Sequence, residues 1–292
     1  SGVDTPLLGL DFNALIRNGI LPVDLFRLLH HPGQKFQSLD EIALEFRPEE
    51  ALDTLLITRE AVGGLWNNVP ENLLTLSPGQ WMEFAFYPLA QHIEEGNIDL
   101  DVNDLIVKRN LLNYYHRVPE RFGQTGRIRT RENVIRIEPH DLGFLLTTRD
   151  VDAETTRCYT CKYLVYAAGQ RCILRKLNVP GEDLPFVTDH YNRPEDFPGE
   201  RIVVVGGGRS ADWAATELHD AGRQVTYVMR QPPERHWALI SQSRGGLPYY
   251  ARLAEILEEP SARMAALYET RIESITGDDG GGCVAVEVGD QR

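Results

Sequence analysis

One stretch, Glu200 to Arg230, constrains the fold of this 292-residue chain more than any other. A run of β-branched residues from Ile202 to Val205 leads into three consecutive glycines, and a helical pattern follows as far as about Gly222. A second strand-like run covers Gln224 to Met229. A strand, a glycine turn, a helix and a second strand within about thirty residues are typical of a βαβ nucleotide-binding unit.

The residues of this glycine turn suit the phosphates of a dinucleotide. Gly206 permits the tight turn out of the strand, and Gly208 has no Cβ, so the backbone can approach a pyrophosphate. Ala211 stands where a third glycine is usual, and its small side chain lets helix and strand pack closely. The helix start, which includes Ser210, directs free N–H groups and the positive end of the helix dipole at the phosphates. We therefore predict that all four residues bind a cofactor.

The end of the second strand indicates which nucleotide binds. NAD sites usually place an acidic residue there to bond the ribose 2′-hydroxyl, whereas NADP sites use arginine for the 2′-phosphate. This chain has Arg230, and the next acidic residue is Glu234. Because arginine can contact a phosphate through two parallel hydrogen bonds, the sequence predicts that NADPH is the nucleotide and that Arg230 binds it.

Composition narrows the class of protein. Hydrophobic residues make up 42% of the chain and charged residues 25%, which are ordinary values for a globular protein large enough for two domains. The net charge of −13 argues against a nucleic-acid-binding surface, and no apolar run approaches the ~20 residues of a membrane span. Four cysteines do not make a disulfide scaffold, which favours a reducing cytoplasm. The start at Ser1-Gly2 and the end at Gln291-Arg292 are typical of a fragment.

The remaining chain predicts elements on both sides of the βαβ unit, with a domain boundary near residue 195. Before the unit we predict a short buried strand at Leu52–Thr58 and a helix at Leu105–Arg121. We also predict a small antiparallel sheet, made of strands at Val134–Ile137 and Phe144–Thr148 and of a third run that ends in a buried strand at Tyr163–Gly169. After the unit we predict a mainly helical segment at Leu253–Tyr268, and a hairpin from Arg271–Thr276 and Cys283–Val288.

Two cysteines, Cys158 and Cys161, form a C-x-x-C pattern, which also occurs in redox-active cysteine pairs. Redox pairs of this kind lie at a helix N-terminus, where the dipole lowers a thiol pKa. Here the pattern lies in a predicted strand, in which residues three apart face opposite sides and are about 10 Å apart, beyond disulfide reach. The sequence therefore favours a structural role for the two cysteines, and with no second C-x-x-C it predicts no metal site.

Several motifs resemble those of flavoproteins with two dinucleotide-binding domains, in particular the flavin-containing monooxygenase-like group. Gly63-Gly64-x-Trp66 resembles the GG-x-W motif that follows the second strand of the FAD domain. Ala168-Gly169, followed by Pro180-Gly181, resembles the linker between the domains. The segments Asp24–Pro32 and Leu74–Glu83 are more closely similar to the oxidative stress-induced growth inhibitor family.

This resemblance implies an α/β, Rossmann-like fold with an incomplete FAD domain at residues 1–195, lacking its first βα unit and its C-terminal segment, and an NADPH domain at residues 196–292. It implies FAD at Gly63, Gly64, Trp66, Ala168 and Gly169, and a monooxygenase reaction in which NADPH reduces the flavin and O₂ is used to oxygenate a small nucleophilic molecule. Because the flavin supplies the chemistry, no acid–base dyad is required, and none is evident in the sequence.

Two other interpretations stay open. A pyridine nucleotide-disulfide type reductase would need a redox dithiol beside the flavin, for which Cys158 and Cys161 are poorly placed. A non-catalytic regulatory protein could keep the fold and bind NADPH without turnover, as the growth-inhibitor resemblance suggests.

Overall fold

A computed structural model describes residue 17 and residues 52–84, 87–169, 175–259, 263–278 and 281–288. The segment Asp24–Pro32, which carries part of the family resemblance, lies outside the described residues. The chain divides into two compact units, one formed by Ser1–Asn68 and Leu74–Gly169 and the other by Val69–Leu73 and Gln170–Arg292. No helix in the described ranges is long and apolar enough to cross a membrane.

The first unit combines short parallel and antiparallel pairs with one three-stranded sheet. Strand β1 pairs with β4 in parallel, β2 pairs with β3 antiparallel, and β5, β6 and β7 form an antiparallel sheet in that order. The elements are β1 (Leu56–Ile57), β2 (Leu74–Pro78), α1 (Leu89–Gly96), β3 (Leu105–Val107), α2 (Lys108–Arg121), β4 (Ile128–Arg129), β5 (Glu132–His140), β6 (Gly143–Asp150) and β7 (Thr156–Cys161). The predicted antiparallel sheet is therefore confirmed.

The core of the first unit is aromatic. Tyr87 and Tyr114 are fully buried, with ring centroids 5.7 Å apart, and the Phe84 N–H donates to the Tyr114 hydroxyl at 2.8 Å. Leu89 of α1, Ile106 of β3 and Leu111 of α2 complete the buried cluster. The tyrosines of α2 are thus held by packing, and burial raises the pKa of the Tyr114 hydroxyl above its usual range.

Three sequence predictions in this unit are wrong in part. The predicted helix at Leu105–Arg121 begins only at Lys108, because Leu105–Val107 pair with β2 as strand β3. The predicted buried strand at Leu52–Thr58 is reduced to Leu56–Ile57, and Leu56 is 54% exposed, since β4 is its one partner strand within the described residues. The third run ends at Cys161, and Tyr163–Gly169 form no strand; Val165 is 87% exposed.

The second unit contains the predicted βαβ arrangement. Strands β8 (Arg201–Val205) and β9 (Gln224–Val228) run parallel with Val204 opposite Tyr227, and α3 (Arg209–Asp220) connects them. Helices α4 (Pro233–Ser243) and α5 (Pro248–Glu258) follow, and β10 (Met264–Leu267) then pairs with β9 in parallel. The sheet order β10-β9-β8 is that of half a doubly wound dinucleotide-binding fold.

In the C-terminal part of this unit, one prediction from the sequence is confirmed and another is wrong in part. Strands β11 (Thr270–Asp278) and β12 (Gly281–Val288) form the predicted antiparallel hairpin. The predicted mainly helical segment Leu253–Tyr268 is wrong in its second half, because helix α5 ends at Glu258 and Met264–Leu267 form β10. The core between sheet and helices includes Leu218, Val225 and Met229, which are almost fully buried.

Candidate functional site

The glycine turn between β8 and α3 brings strand and helix unusually close together. A Cβ added at Gly206 would lie 2.6 Å from the Cβ of Ala211, so neither position has room for a larger side chain. The Gly206 N–H donates to the carbonyl of Val228 at 3.0 Å, which ties the turn to the end of β9. The close helix–strand approach predicted for Gly206 and Ala211 is therefore present.

Gly208 lies at the open side of the same turn and forms the N-cap of α3. A Cβ at Gly208 would meet no atom within 4 Å, and no side chain caps the helix start. A helix leaves its first N–H groups without intrahelical partners, and they carry the positive end of the dipole. Ser210, in this first turn, is exposed. An open cradle of backbone donors fits a pyrophosphate group.

The residues after β9 lie beside this turn. Arg230 is exposed, as the sequence led us to expect of a residue that reaches a nucleotide. Gln231, which the sequence analysis did not identify, donates from Nε2 to the carbonyl of Gly207 at 2.9 Å. A Cβ at Gly207 would lie 2.8 Å from that same nitrogen, so the amide lies directly on the glycine backbone. The backbone carbonyl of Gln231 also accepts from the Glu269 N–H, which fixes the residue in place.

A fully buried carboxylate lies one helical turn behind the glycine turn. Asp212 Oδ1 accepts hydrogen bonds from the Tyr227 hydroxyl at 2.7 Å and from His236 Nε2 at 2.8 Å, and Oδ2 accepts from the Tyr250 hydroxyl at 2.9 Å. All four side chains are 0% exposed. Burial, reinforced by the Asp212 charge, raises the pKa of the Tyr227 and Tyr250 hydroxyls, which keeps both as hydrogen-bond donors.

These three donors come from three different elements. Tyr227 belongs to β9, His236 to α4 and Tyr250 to α5. Asp212 therefore links the start of α3 to all three of these elements by hydrogen bonds. His236 Nδ1 in turn lies 3.1 Å from the Tyr268 hydroxyl. The sequence showed no acid–base pair because Asp212 and His236 are 24 positions apart, and no local pattern connects them.

Arg209, the first residue of α3, is a second site residue that the sequence analysis missed. Its guanidinium lies 5.4 Å from the centre of the Tyr250 ring, and Nη2 is 3.5 Å from Ser243 Oγ. The side chain is exposed and lies directly after the open Gly208. A basic residue in the first helical turn is unfavourable for the helix dipole, so its presence there is a signal that sequence reading could have used.

The first unit holds the residues expected to bind the flavin. Gly63 and Gly64 both have left-handed backbone angles, and a Cβ at Gly63 would lie 2.6 Å from Leu112 Cδ2, whereas nothing lies within 4 Å at Gly64. The Asn67 amide donates to the carbonyl of Gly64 at 2.9 Å, and Trp66 packs on the aromatic core. The loop is thus held rigidly with open space at Gly64, an arrangement that fits a ligand approaching the backbone.

The other predicted residues of this unit are placed differently. Ala168 and Gly169 are exposed in an irregular segment, not at the end of a buried strand. Cys158 and Cys161 lie in β7 as predicted, opposite Thr147 and Phe144, and both are free thiols. Within the described ranges, no group of three or more His, Cys, Asp or Glu side chains is placed to hold a metal ion.

The sequence of the chain is similar to those of several known flavoprotein oxidoreductases and their relatives. A family model described as pyridine nucleotide-disulphide oxidoreductase matches residues 41–291. Flavin-containing monooxygenase 5 of Cavia porcellus is 22% identical over 222 residues, covering 68% of this chain and 39% of that protein. Oxidative stress-induced growth inhibitor 1 of Mus musculus is 21% identical over 283 residues, covering 84% and 56%. A ferredoxin–NADP reductase of Ignicoccus hospitalis is 42% identical over 73 residues, covering 25% and 24%.

Solved structures show the same fold. Bacillithiol disulfide reductase of Staphylococcus aureus superposes with a TM-score of 0.60 at 22% identity, covering 82% of this chain and 65% of that one. Ornithine hydroxylase of Pseudomonas aeruginosa gives 0.58 at 15% identity, covering 82% and 71%. These findings confirm the predicted α/β flavoprotein fold and the family resemblance. The chain spans between about a quarter and just over half of the length of these curated relatives.

Proposed function

Because the chain belongs to the pyridine nucleotide-disulphide oxidoreductase family, we propose that it is part of an NADPH- and FAD-dependent monooxygenase that acts on a small nucleophilic molecule. The family binds FAD and NAD(P)H. The observation that carries the choice of NADPH is the open glycine turn at the start of α3, with exposed Arg230 following β9. No carboxylate occupies the strand-end position that would favour NADH.

In this proposal, residues of the second unit bind the pyrophosphate and the 2′-phosphate of NADPH. Gly206, Gly208 and Ser210 hold the pyrophosphate with backbone donors at the α3 N-terminus, while Ala211 lets the helix approach. Arg230 contacts the 2′-phosphate. Residues 196–292 then form the NADPH domain. The uncapped helix start and the open Gly208 support this assignment.

The proposed flavin-binding part is residues 1–195. Gly63 and Gly64 would let the flavin approach the backbone, Trp66 would stiffen the loop from the core side, and Ala168 and Gly169 would line the linker between the domains. When bound there, the flavin would supply the redox and oxygen chemistry. The task of the chain's own residues is to bind, orient and exclude water.

The monooxygenase assignment is supported by how far these curated sequence relatives extend along the chain. The monooxygenase and growth-inhibitor relatives match 68% and 84% of it, whereas the ferredoxin reductase matches 25%. The placement of Cys158 and Cys161 on alternate sides of one strand also argues against a dithiol mechanism. A disulfide reductase is the second candidate, favoured by the fold match to bacillithiol disulfide reductase.

The nucleotide preference can be tested on this chain by calorimetric binding of NADPH and NADH. We expect NADPH to bind more tightly, and Arg230→Ala to weaken NADPH by at least about tenfold while leaving NADH unchanged, because only NADPH carries the 2′-phosphate. The matched control is Arg201→Ala, which removes the same charge from the opposite end of β8. Equal loss of both nucleotides in Arg230→Ala would refute the proposed contact.

The reaction can be tested with added FAD and NADPH in the full-length protein. We expect O₂ consumption that depends on NADPH and rises with an amine or thioether. NADPH oxidation driven by a low-molecular-weight disulfide would favour the reductase instead. Tight NADPH binding with neither activity would favour the regulatory interpretation.

A further inference from the structure

Arg209 is a cation held in place by neutral partners. Its guanidinium lies over the Tyr250 ring, beside Ser243 Oγ, and it is also hydrogen-bonded to Tyr249. Burial raises the pKa of the Tyr249 and Tyr250 hydroxyls, so neither becomes an anion at neutral pH. Among the residues that the structure describes, no carboxylate forms an ion pair with Arg209.

Two other arginines of the same unit, by contrast, are held by carboxylates. Arg252 pairs with Asp220 at 2.8 Å, and Arg244 pairs with Glu258 at 3.2 Å. The carboxylate nearest in sequence to Arg209 is Asp212, and its two oxygens are occupied by three buried donors. The positive charge of Arg209 therefore remains available, and the aromatic platform restricts the side chain before any ligand binds.

We infer that Arg209 is a phosphate-contacting residue, whose guanidinium binds the pyrophosphate of the pyridine nucleotide. This inference rests on the proposed NADPH function. It adds a charged side chain to a site otherwise made of backbone donors at Gly208 and the helix start. Arginine matches the geometry of phosphate oxygens with two parallel N–H donors, and its preorganisation over Tyr250 limits the entropy lost on binding.

Asp212 is a positioning residue, which acts on Arg209 through the ring of Tyr250. The Tyr250 hydroxyl donates to Asp212 Oδ2 at 2.9 Å, which fixes the ring over which the guanidinium lies. The first turn of α3, the ring of Tyr250 and the guanidinium of Arg209 thus form one rigid group. This group explains how an exposed arginine can have a defined place beside the glycine turn.

The test compares two ligands, of which only one contains the pyrophosphate. NADP⁺ contains it, whereas 2′-AMP carries the 2′-phosphate alone. We expect Arg209→Ala to weaken NADP⁺ binding by about tenfold or more, as measured by calorimetry, and to change 2′-AMP binding by less than about twofold. Arg209→Lys should be intermediate, because it keeps the charge and loses the paired donors. Arg201→Ala, the matched charge control, should leave both affinities unchanged.

Two outcomes would overturn the inference. Unchanged NADP⁺ affinity in Arg209→Ala would show that the guanidinium makes no contact, and equal losses for NADP⁺ and 2′-AMP would show a merely structural role. A wild-type chain that binds neither ligand would instead refute the proposed NADPH function, so the two failures are distinguishable. Thermal unfolding of Arg209→Ala, an exposed substitution, should match the wild type and verifies that the variant is folded.

Discussion

Replacing Asp212 with alanine should be among the most destabilising single changes in the second unit. The carboxylate accepts three hydrogen bonds, from Tyr227, His236 and Tyr250, and none of the four side chains is exposed. Alanine leaves three buried donors without their acceptor, each at a cost of about 1–3 kcal/mol. Removing a buried charge recovers part of this, since the desolvation of the carboxylate is no longer required. The net loss should be about 3–5 kcal/mol.

The isosteric variant Asp212→Asn separates geometry from charge. Its carbonyl oxygen can still accept from Tyr227 and His236, and its amide can donate to the Tyr250 hydroxyl, which then becomes the acceptor. Only the extra strength of bonds to a charged acceptor is lost, so we expect a cost of about 1–2 kcal/mol. The difference between the two variants therefore measures the value of keeping the three donors partnered.

The assay is urea unfolding followed by tryptophan fluorescence, because two of the four tryptophans, Trp213 and Trp237, lie in the second unit. A domain is typically stable by about 5–15 kcal/mol, so the alanine variant should show a large shift of the midpoint with the slope unchanged. A cycle with Tyr250→Phe should give a coupling energy of about 0.5–3 kcal/mol. One ordinary hydrogen bond contributes ~1 kcal/mol to stability. The reasoning would be refuted if the free energy of unfolding of the alanine variant lay within ~1 kcal/mol of the wild type. Equal losses of stability for the alanine and asparagine variants would refute it too.

Four further substitutions test the geometry. Gly206→Ala places a Cβ 2.6 Å from that of Ala211 and should destabilise the chain by about 1–3 kcal/mol in urea unfolding, whereas Gly208→Ala should keep stability and weaken nucleotide binding, because its cradle is open. Burial raises the pKa of Tyr115 from 10.0 to about 12, so the folded state holds this proton more tightly. The contribution of Tyr115 to stability is therefore fully present below pH 10 and is lost between pH 10 and 12, and Tyr115→Phe should reduce the slope of stability over that range. Cys158→Ser should leave NADPH oxidation by the full-length protein unchanged, and its loss would favour the dithiol reductase.

Local signals in the sequence were sufficient for the elements that hold the glycine turn. The strand–glycine–helix pattern predicted β8, α3 and β9 because each of these depends on residues close in the chain. The segment Met264–Leu267 shows the limit of such signals. Met, Ala and Leu favour helices, yet the segment forms a strand because β9 offers a parallel neighbour, with Met264 opposite Val225. Pairing across 39 positions overrides local preference, and no window of sequence contains that information.

The same limit applies to strand β1. An apolar run such as Leu52–Thr58 predicts a buried strand only if other elements cover both of its faces. In the described residues β1 has one two-residue pairing with β4, and Leu52 and Leu56 remain more than half exposed. The prediction was wrong because burial depends on partners that the run itself does not specify.

The charges at the start of α3 show how long-range contacts decide the candidate site. Arg209 and Asp212 are three positions apart on one helix, a spacing that predicts an intrahelical ion pair. Such a pair would neutralise both residues and leave the glycine turn without a cation. The structure separates them because three distant donors hold Asp212 inside, while the ring of Tyr250 supports Arg209 outside. Tyr250 contacts both residues, with its hydroxyl on the carboxylate and its ring beneath the guanidinium. The buried network thus leaves a positive charge free at the position where we propose that the pyrophosphate binds.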